Sequence, residues 1–139
     1  MFYTPIRRLM SPRELSLAVV GLDYPNPDNS HRRFEMALCC RAEPVRLIRE
    51  PTNKYDKRAV AVFSNRGIQL GYLTAERCGL IGGWLDNGEA YSAVFQESGR
   101  TAAIIRVRFG AGALSLPPDR NDLVRDWSEE GGDAFDWGC

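Results

Sequence analysis

Apolar and polar positions along this chain fall into two periods, and the periods predict the elements. Leu15 to Leu22 (LSLAVVGL) is mostly apolar and rich in β-branched residues, which predicts a core strand closing at Gly21. The following Asp23-Tyr24-Pro25-Asn26-Pro27-Asp28-Asn29-Ser30 is dense in turn formers, so Tyr24 stands at a strand exit. His31 to Cys40 fits a short helix capped by Ser30 or Asn29, with Phe34, Ala37 and Leu38 at i, i+3, i+4 spacing as its apolar face. Val45 to Ile48 reads as a strand that runs into the polar loop Arg49-Glu50-Pro51-Thr52-Asn53-Lys54-Tyr55-Asp56. The apolar run Ala59 to Phe63, the turn Ser64-Asn65-Arg66-Gly67 and the run Ile68 to Leu73 then form two further strands, which hold the loop on a paired base.

Thr74 is placed to cap a second helix that runs to Asp86 and buries Cys78, Ile81 and Leu85, with Trp84 near its edge. Gly79, Gly82 and Gly83 each cost such a helix about 1 kcal/mol relative to Ala, so the pattern predicts a break or a close neighbour there. Asn87-Gly88 ends the helix, and Tyr91 to Phe95 and Ala102 to Phe109 follow as strands. In the last strand Ile105, Val107 and Phe109 point one way and Arg106 and Arg108 the other, which predicts a basic stripe. The sum is a mainly β chain of six strands with two short helices.

From Gly110 the composition changes to Gly-Ala-Gly-Ala, Pro117-Pro118 and then an acidic stretch with Trp127 and Trp137. The expected organisation is therefore an arm (1–14), a domain (15–109) and an acidic, flexible tail (110–139). Charge sharpens that division. The net charge is zero, yet residues 1–109 hold 16 Lys and Arg against 11 Asp and Glu, while residues 110–139 hold 2 against 7. By charge alone, a basic body joined to an acidic tail reads as a solvated surface plus a soluble tail.

The single histidine, His31, and the absence of a C-x-x-C pair among Cys39, Cys40, Cys78 and Cys139 argue against zinc. Reduced cysteines, no leader-like start and no run approaching ~20 apolar residues give a cytoplasmic expectation without a membrane span. No phosphate-binding glycine loop, H-E-x-x-H or G-x-S-x-G motif occurs, so neither an enzyme nor a cofactor is expected. Glu50, beside Pro51 in a turn, reads as the ion partner of a nearby arginine.

The segments Val19-Val20-Gly21-Leu22-Asp23-Tyr24, Leu47 to Asp56 with its R-E-P-x-N-x-Y-D core, Ala59-Val60-Ala61-Val62 and Ile68 to Leu73 ending in L-G-Y resemble, in this order, the HIRAN domain. That family occurs at the N-terminus of SWI/SNF-type DNA helicases and as short free-standing bacterial proteins. The resemblance implies an OB-like β-barrel that binds single-stranded DNA, in eukaryotic members at a 3′-hydroxyl end. It makes Tyr24 and Tyr55 the rings that contact the terminal nucleotide and Asp56 the acceptor for the terminal hydroxyl. Arg49, Lys54, Lys57 and Arg58 supply charge in the same loop, Asn53 shapes the loop or donates to DNA, and Tyr72 supplies a third ring. Asp23 departs from the family pattern by replacing a basic residue, and Tyr72 by replacing a histidine. Both changes remove phosphate contacts. The alternative is a protein-interaction module that has lost DNA binding and docks a partner through its acidic tail.

Overall fold

The computed structural model describes residues 13–118. Six strands and two helices follow one another: β1 (Arg13–Val20), α1 (Arg32–Leu38), β2 (Arg46–Arg49), β3 (Val60–Phe63), β4 (Gln69–Leu73), α2 (Ala75–Asp86), β5 (Tyr91–Glu97) and β6 (Ala103–Phe109). The strands form one sheet in the order β2-β3-β4-β1-β6-β5, with every neighbouring pair antiparallel. The sheet also curls round on itself. Ala42 and Val45 donate to the carbonyls of Phe95 (2.8 Å) and Ala93 (3.0 Å), and Phe95 donates to the carbonyl of Glu43 (2.8 Å). These bonds join the segment before β2 to β5 around the isolated bridge Pro44↔Val94 and curl the sheet into a partly open, OB-like barrel.

The interior follows from strand alternation. Along β6, Ala103, Ile105, Val107 and Phe109 are buried while the residues between them are half-exposed. Leu17 and Val19 of β1, Val60 and Val62 of β3 and Leu70 of β4 fill the same core, and Ile81 of α2 caps it. Trp84 of α2 packs edge-on against Phe109 with ring centroids 5.0 Å apart. The tertiary fold is thus the predicted one, with β1 beginning earlier at Arg13 and ending at Val20. Gly21 has φ of +81°, and that left-handed conformation turns the chain out of the sheet.

Two predicted faces are corrected. On α1 the apolar residues Phe34 and Leu38 are exposed, at 66% and 47%, and the buried positions are Arg32, Glu35, Met36 and, at the helix end, Cys39. Glu35 is accommodated because its Oε2 accepts from Ser64 Oγ (2.6 Å) and Arg66 Nε (2.6 Å). Arg66 in turn reaches Glu43, so the β3–β4 turn is tied both to α1 through Glu35 and to the segment before β2. On β6, Arg106 and Arg108 do face outward, but both pair with Glu14 of β1, so the stripe is partly neutralised.

Two of the three glycines of α2 are explained by close neighbours, whereas a Cβ on Gly83 would meet nothing within 4 Å. A Cβ on Gly82 would lie 3.1 Å from Arg49 Cδ, and one on Gly79 would lie 3.3 Å from Arg58 Nη1. Arginine side chains from the β2–β3 region therefore lie against the glycine face of the helix. Cys39 and Cys78 are free thiols, as expected of reduced cysteines at those positions. Among the described residues no helix is long and apolar enough to cross a membrane. The expected arm up to Pro12 and the tail from Asp119, with Trp127, Trp137 and Cys139, lie outside the described residues. Residues 111–118 continue past β6 without regular structure and bond back to the barrel, through Ser115 to Glu14 and through Pro117 O to Arg41.

Candidate nucleic-acid interface

The loop between β2 and β3 is built by its own polar groups. Glu50 N–H donates to Ala59 O, Asn53 N–H to Glu50 O and Ala59 N–H to Asp56 O, each at 3.0 Å. Asn53 Oδ1 accepts from the backbone N–H of Tyr55 (2.8 Å) and of Asp56 (3.0 Å), a side-chain turn that holds the next residues in place. Its Nδ2 donates to Glu50 Oε1 (3.0 Å), which also accepts from the Tyr72 hydroxyl (2.8 Å). The Asn53 side chain thus shapes the loop from both of its polar atoms. Glu50 serves Asn53 and Tyr72, and no arginine pairs with it among the described residues.

Asp56 sits at the end of this turn. Its Oδ1 accepts from the backbone N–H of Arg58 (2.8 Å), and Cys78 Sγ approaches its Oδ2 at 3.7 Å. The Arg58 N–H and the Arg58 charge hold the Asp56 carboxyl below the usual aspartate value. The carboxylate is thus ionised at neutral pH. Burial and the neighbouring Asp56 push the Cys78 thiol up, so it remains protonated.

These residues border a groove of about 880 Å³ at the end of β1, where that strand pairs with β4 only through Val19↔Leu73 and Val20↔Tyr72. Gly71 makes this approach possible, since a Cβ there would lie 2.2 Å from the carbonyl oxygen of Val20. Tyr24, Asn53, Lys54, Tyr55, Asp56 and Tyr72 all line the groove. Tyr24 and Tyr55 keep their rings in solvent, with 69% and 91% of their surface exposed. Tyr72 is half-buried, and burial together with Glu50 raises its hydroxyl pKa.

Arg49 and Lys57 do not line the groove. Arg49 binds both carboxylate oxygens of Asp86 (3.0 and 3.1 Å) and donates to Lys57 O (3.1 Å), so its charge is taken up against α2. Asp23, the departure from a basic residue, is paired with Arg33, which holds its carboxyl below the usual range. One groove residue escapes the sequence reading: Arg32, whose guanidinium lies 5.6 Å from the Tyr72 ring centroid. The signal for it is the i, i+3, i+4, i+7 spacing of Arg32, Glu35, Met36 and Cys39, a helical face that hydrophobicity alone assigns to solvent.

An OB-like barrel with an aromatic-rimmed groove at a strand end defines a class of binding domain. The HIRAN domain family model matches residues 13–107, and the chain belongs to that family. Among solved structures, the crystal structure of the human HLTF HIRAN domain is 24% identical and superposes with a TM-score of 0.57, covering 88% of this chain and 92% of that one. A Lactobacillus plantarum protein is 17% identical with a TM-score of 0.59, covering 71% and 97%. The HLTF HIRAN domain in its DNA-bound conformation is 24% identical with a TM-score of 0.50, covering 85% and 88%. No curated protein matches the chain. At these identities the likeness establishes a shared fold.

Proposed function

We propose that this chain binds single-stranded DNA, with a preference for a 3′-hydroxyl end, and catalyses nothing. The observation that carries this reading is the exposure of Tyr24 and Tyr55 on a groove that also holds an ionised, turn-fixed Asp56. Exposed rings offer stacking platforms for bases, worth ~1–3 kcal/mol each. A carboxylate accepts from a terminal hydroxyl and repels a phosphate in the same place, so one residue favours a free end over an interior. Membership of the HIRAN family and the DNA-bound state of the HLTF domain support the same ligand class.

A second reading draws on Phe34 and Leu38, whose exposure on one face of α1 suits a protein contact instead. Fluorescence anisotropy with single strands ending in 3′-hydroxyl or 3′-phosphate, and with a blunt duplex, separates the two. The proposal expects the 3′-hydroxyl strand to bind tightest, with affinity falling as salt rises. Equal affinity for all three ends removes the end preference. Absence of binding even at low salt removes DNA and leaves the protein-contact reading.

A further inference from the structure

The described arginines differ in their partners. Arg13, Arg33, Arg49, Arg58, Arg66, Arg106 and Arg108 each pair with a carboxylate. Arg32 is more buried than any of these, at 6% exposure, and no carboxylate pairs with it among the described residues. Its Nε donates to Asn26 Oδ1 (2.7 Å) and its Nη1 to Gly21 O (2.9 Å). Neutral oxygens fix the guanidinium in position but leave its charge uncompensated, and a buried, uncompensated charge is costly unless an opposite charge arrives.

Arg32 also occupies a distinctive place. Together with Tyr24 it lines both the main groove and a smaller adjoining pocket of about 180 Å³, so the two residues form the partition between them. A nucleic-acid strand whose last nucleotide lies in the main groove and whose chain continues over Tyr24 carries a phosphate past this partition. We propose that Arg32 is the phosphate anchor of the groove and receives the phosphodiester that joins the last two nucleotides. The cation comes from α1, and the neighbouring Asp23 carboxylate is neutralised by Arg33. A guanidinium already held by two acceptors meets a phosphate with little further ordering cost and makes charge-assisted hydrogen bonds to it.

This inference rests on the DNA-binding reading, and the test keeps the two apart. Single strands in which one linkage at a time is a neutral methylphosphonate are titrated against the wild-type chain, Arg32→Gln and Arg32→Lys. The expected result is a loss of about tenfold or more for the wild type when the last linkage is neutral, the scale of a hydrogen bond to a charged group. Arg32→Gln should lose a similar factor on the natural strand and nothing further on the neutralised one, and Arg32→Lys should lie between. A loss in Arg32→Gln that is the same on both strands makes Arg32 a structural residue and overturns the proposal. Wild-type binding that no single linkage affects also overturns it while leaving DNA binding intact; failure of every strand to bind removes both. Should Arg32→Gln not fold, the Nε–H resonance of Arg32 in the wild type gives the answer. It should move with the natural strand and stay with the neutralised one, and a resonance that responds identically to both sinks the idea.

Discussion

Tyr24 and Tyr55 hold large apolar rings in water at the lip of a cavity, and nothing in the barrel requires them there. Replacing both by Ala should leave the melting temperature nearly unchanged, because exposed side chains contribute little to stability. If each ring stacks on a base, DNA binding should weaken by roughly 2 kcal/mol or more; a folded double variant with wild-type affinity in the anisotropy titration rules the stacking role out. For Asp56 the informative quantity is a difference between substrates. Asp56→Ala should cost more on a 3′-hydroxyl end than on an internal segment, since only the end supplies the hydroxyl proton. The Arg58 N–H keeps the Asp56 pKa below its ordinary value of 3.8, so the preference for the hydroxyl end should persist at pH 5. The three residues were legible in the sequence only through the resemblance of their segments to the HIRAN domain, since by residue type alone each reads equally as a loop former or a rim residue. Arg32 was not, because its role depends on Asn26, Gly21 and Tyr72 converging from separate segments.

Among the elements, α1 shows where the periodicity argument fails and why. Phe34, Ala37 and Leu38 have the right spacing for a buried face, yet the opposite face is inside, because Glu35 and Arg32 find polar partners there that a hydrophobicity scale does not see. The strands were easier to read. Their alternation survives in β6, although the pairing of its arginines with Glu14 across β1 involves residues far apart in sequence. Arg108 and Ser115 lower the Glu14 pKa from 4.5 to about 2, with Arg106 contributing further. A folded-state pKa below the unfolded one means stabilisation that is complete above about pH 4.5 and is lost as pH falls toward 2. Glu14→Gln should therefore flatten the acid limb of the stability curve across that window. Urea melts at a series of pH values would show it, and parallel curves for the two proteins would mean that Glu14 contributes nothing through its charge.

For the whole molecule, the barrel's closure was the least legible feature. The segment Ala42 to Val45 contains Pro44 and carries no strand alternation, yet its bonds to β5 join the two edges. Pairing across some fifty residues leaves no local trace. The charge division is plain in the sequence, and residues 111–118 add a detail to it by bonding to Glu14 and Arg41. A deletion that tests the acidic tail should accordingly begin after Pro118, to spare those contacts. If the tail competes with DNA for the groove, the shortened chain should bind more tightly, most clearly at low salt where screening is weak. Identical affinities through a salt series would assign the tail to a linker or protein-docking role.

The register of β1 on β6 places Arg13 opposite Phe109, whereas the groove opens at the other end of β1, beyond Val20. Polypeptide thus enters and leaves the barrel side by side, roughly 23 Å of strand away from the groove at ~3.3 Å per residue. Such a unit can be spliced into a host chain as a self-contained cassette. It should equally tolerate having its ends joined by a short glycine bridge and reopened at Asn87-Gly88. Such a permuted barrel should melt cooperatively and bind the same oligonucleotides; loss of the cooperative transition would mean that β1 and β6 depend on the order in which they are connected.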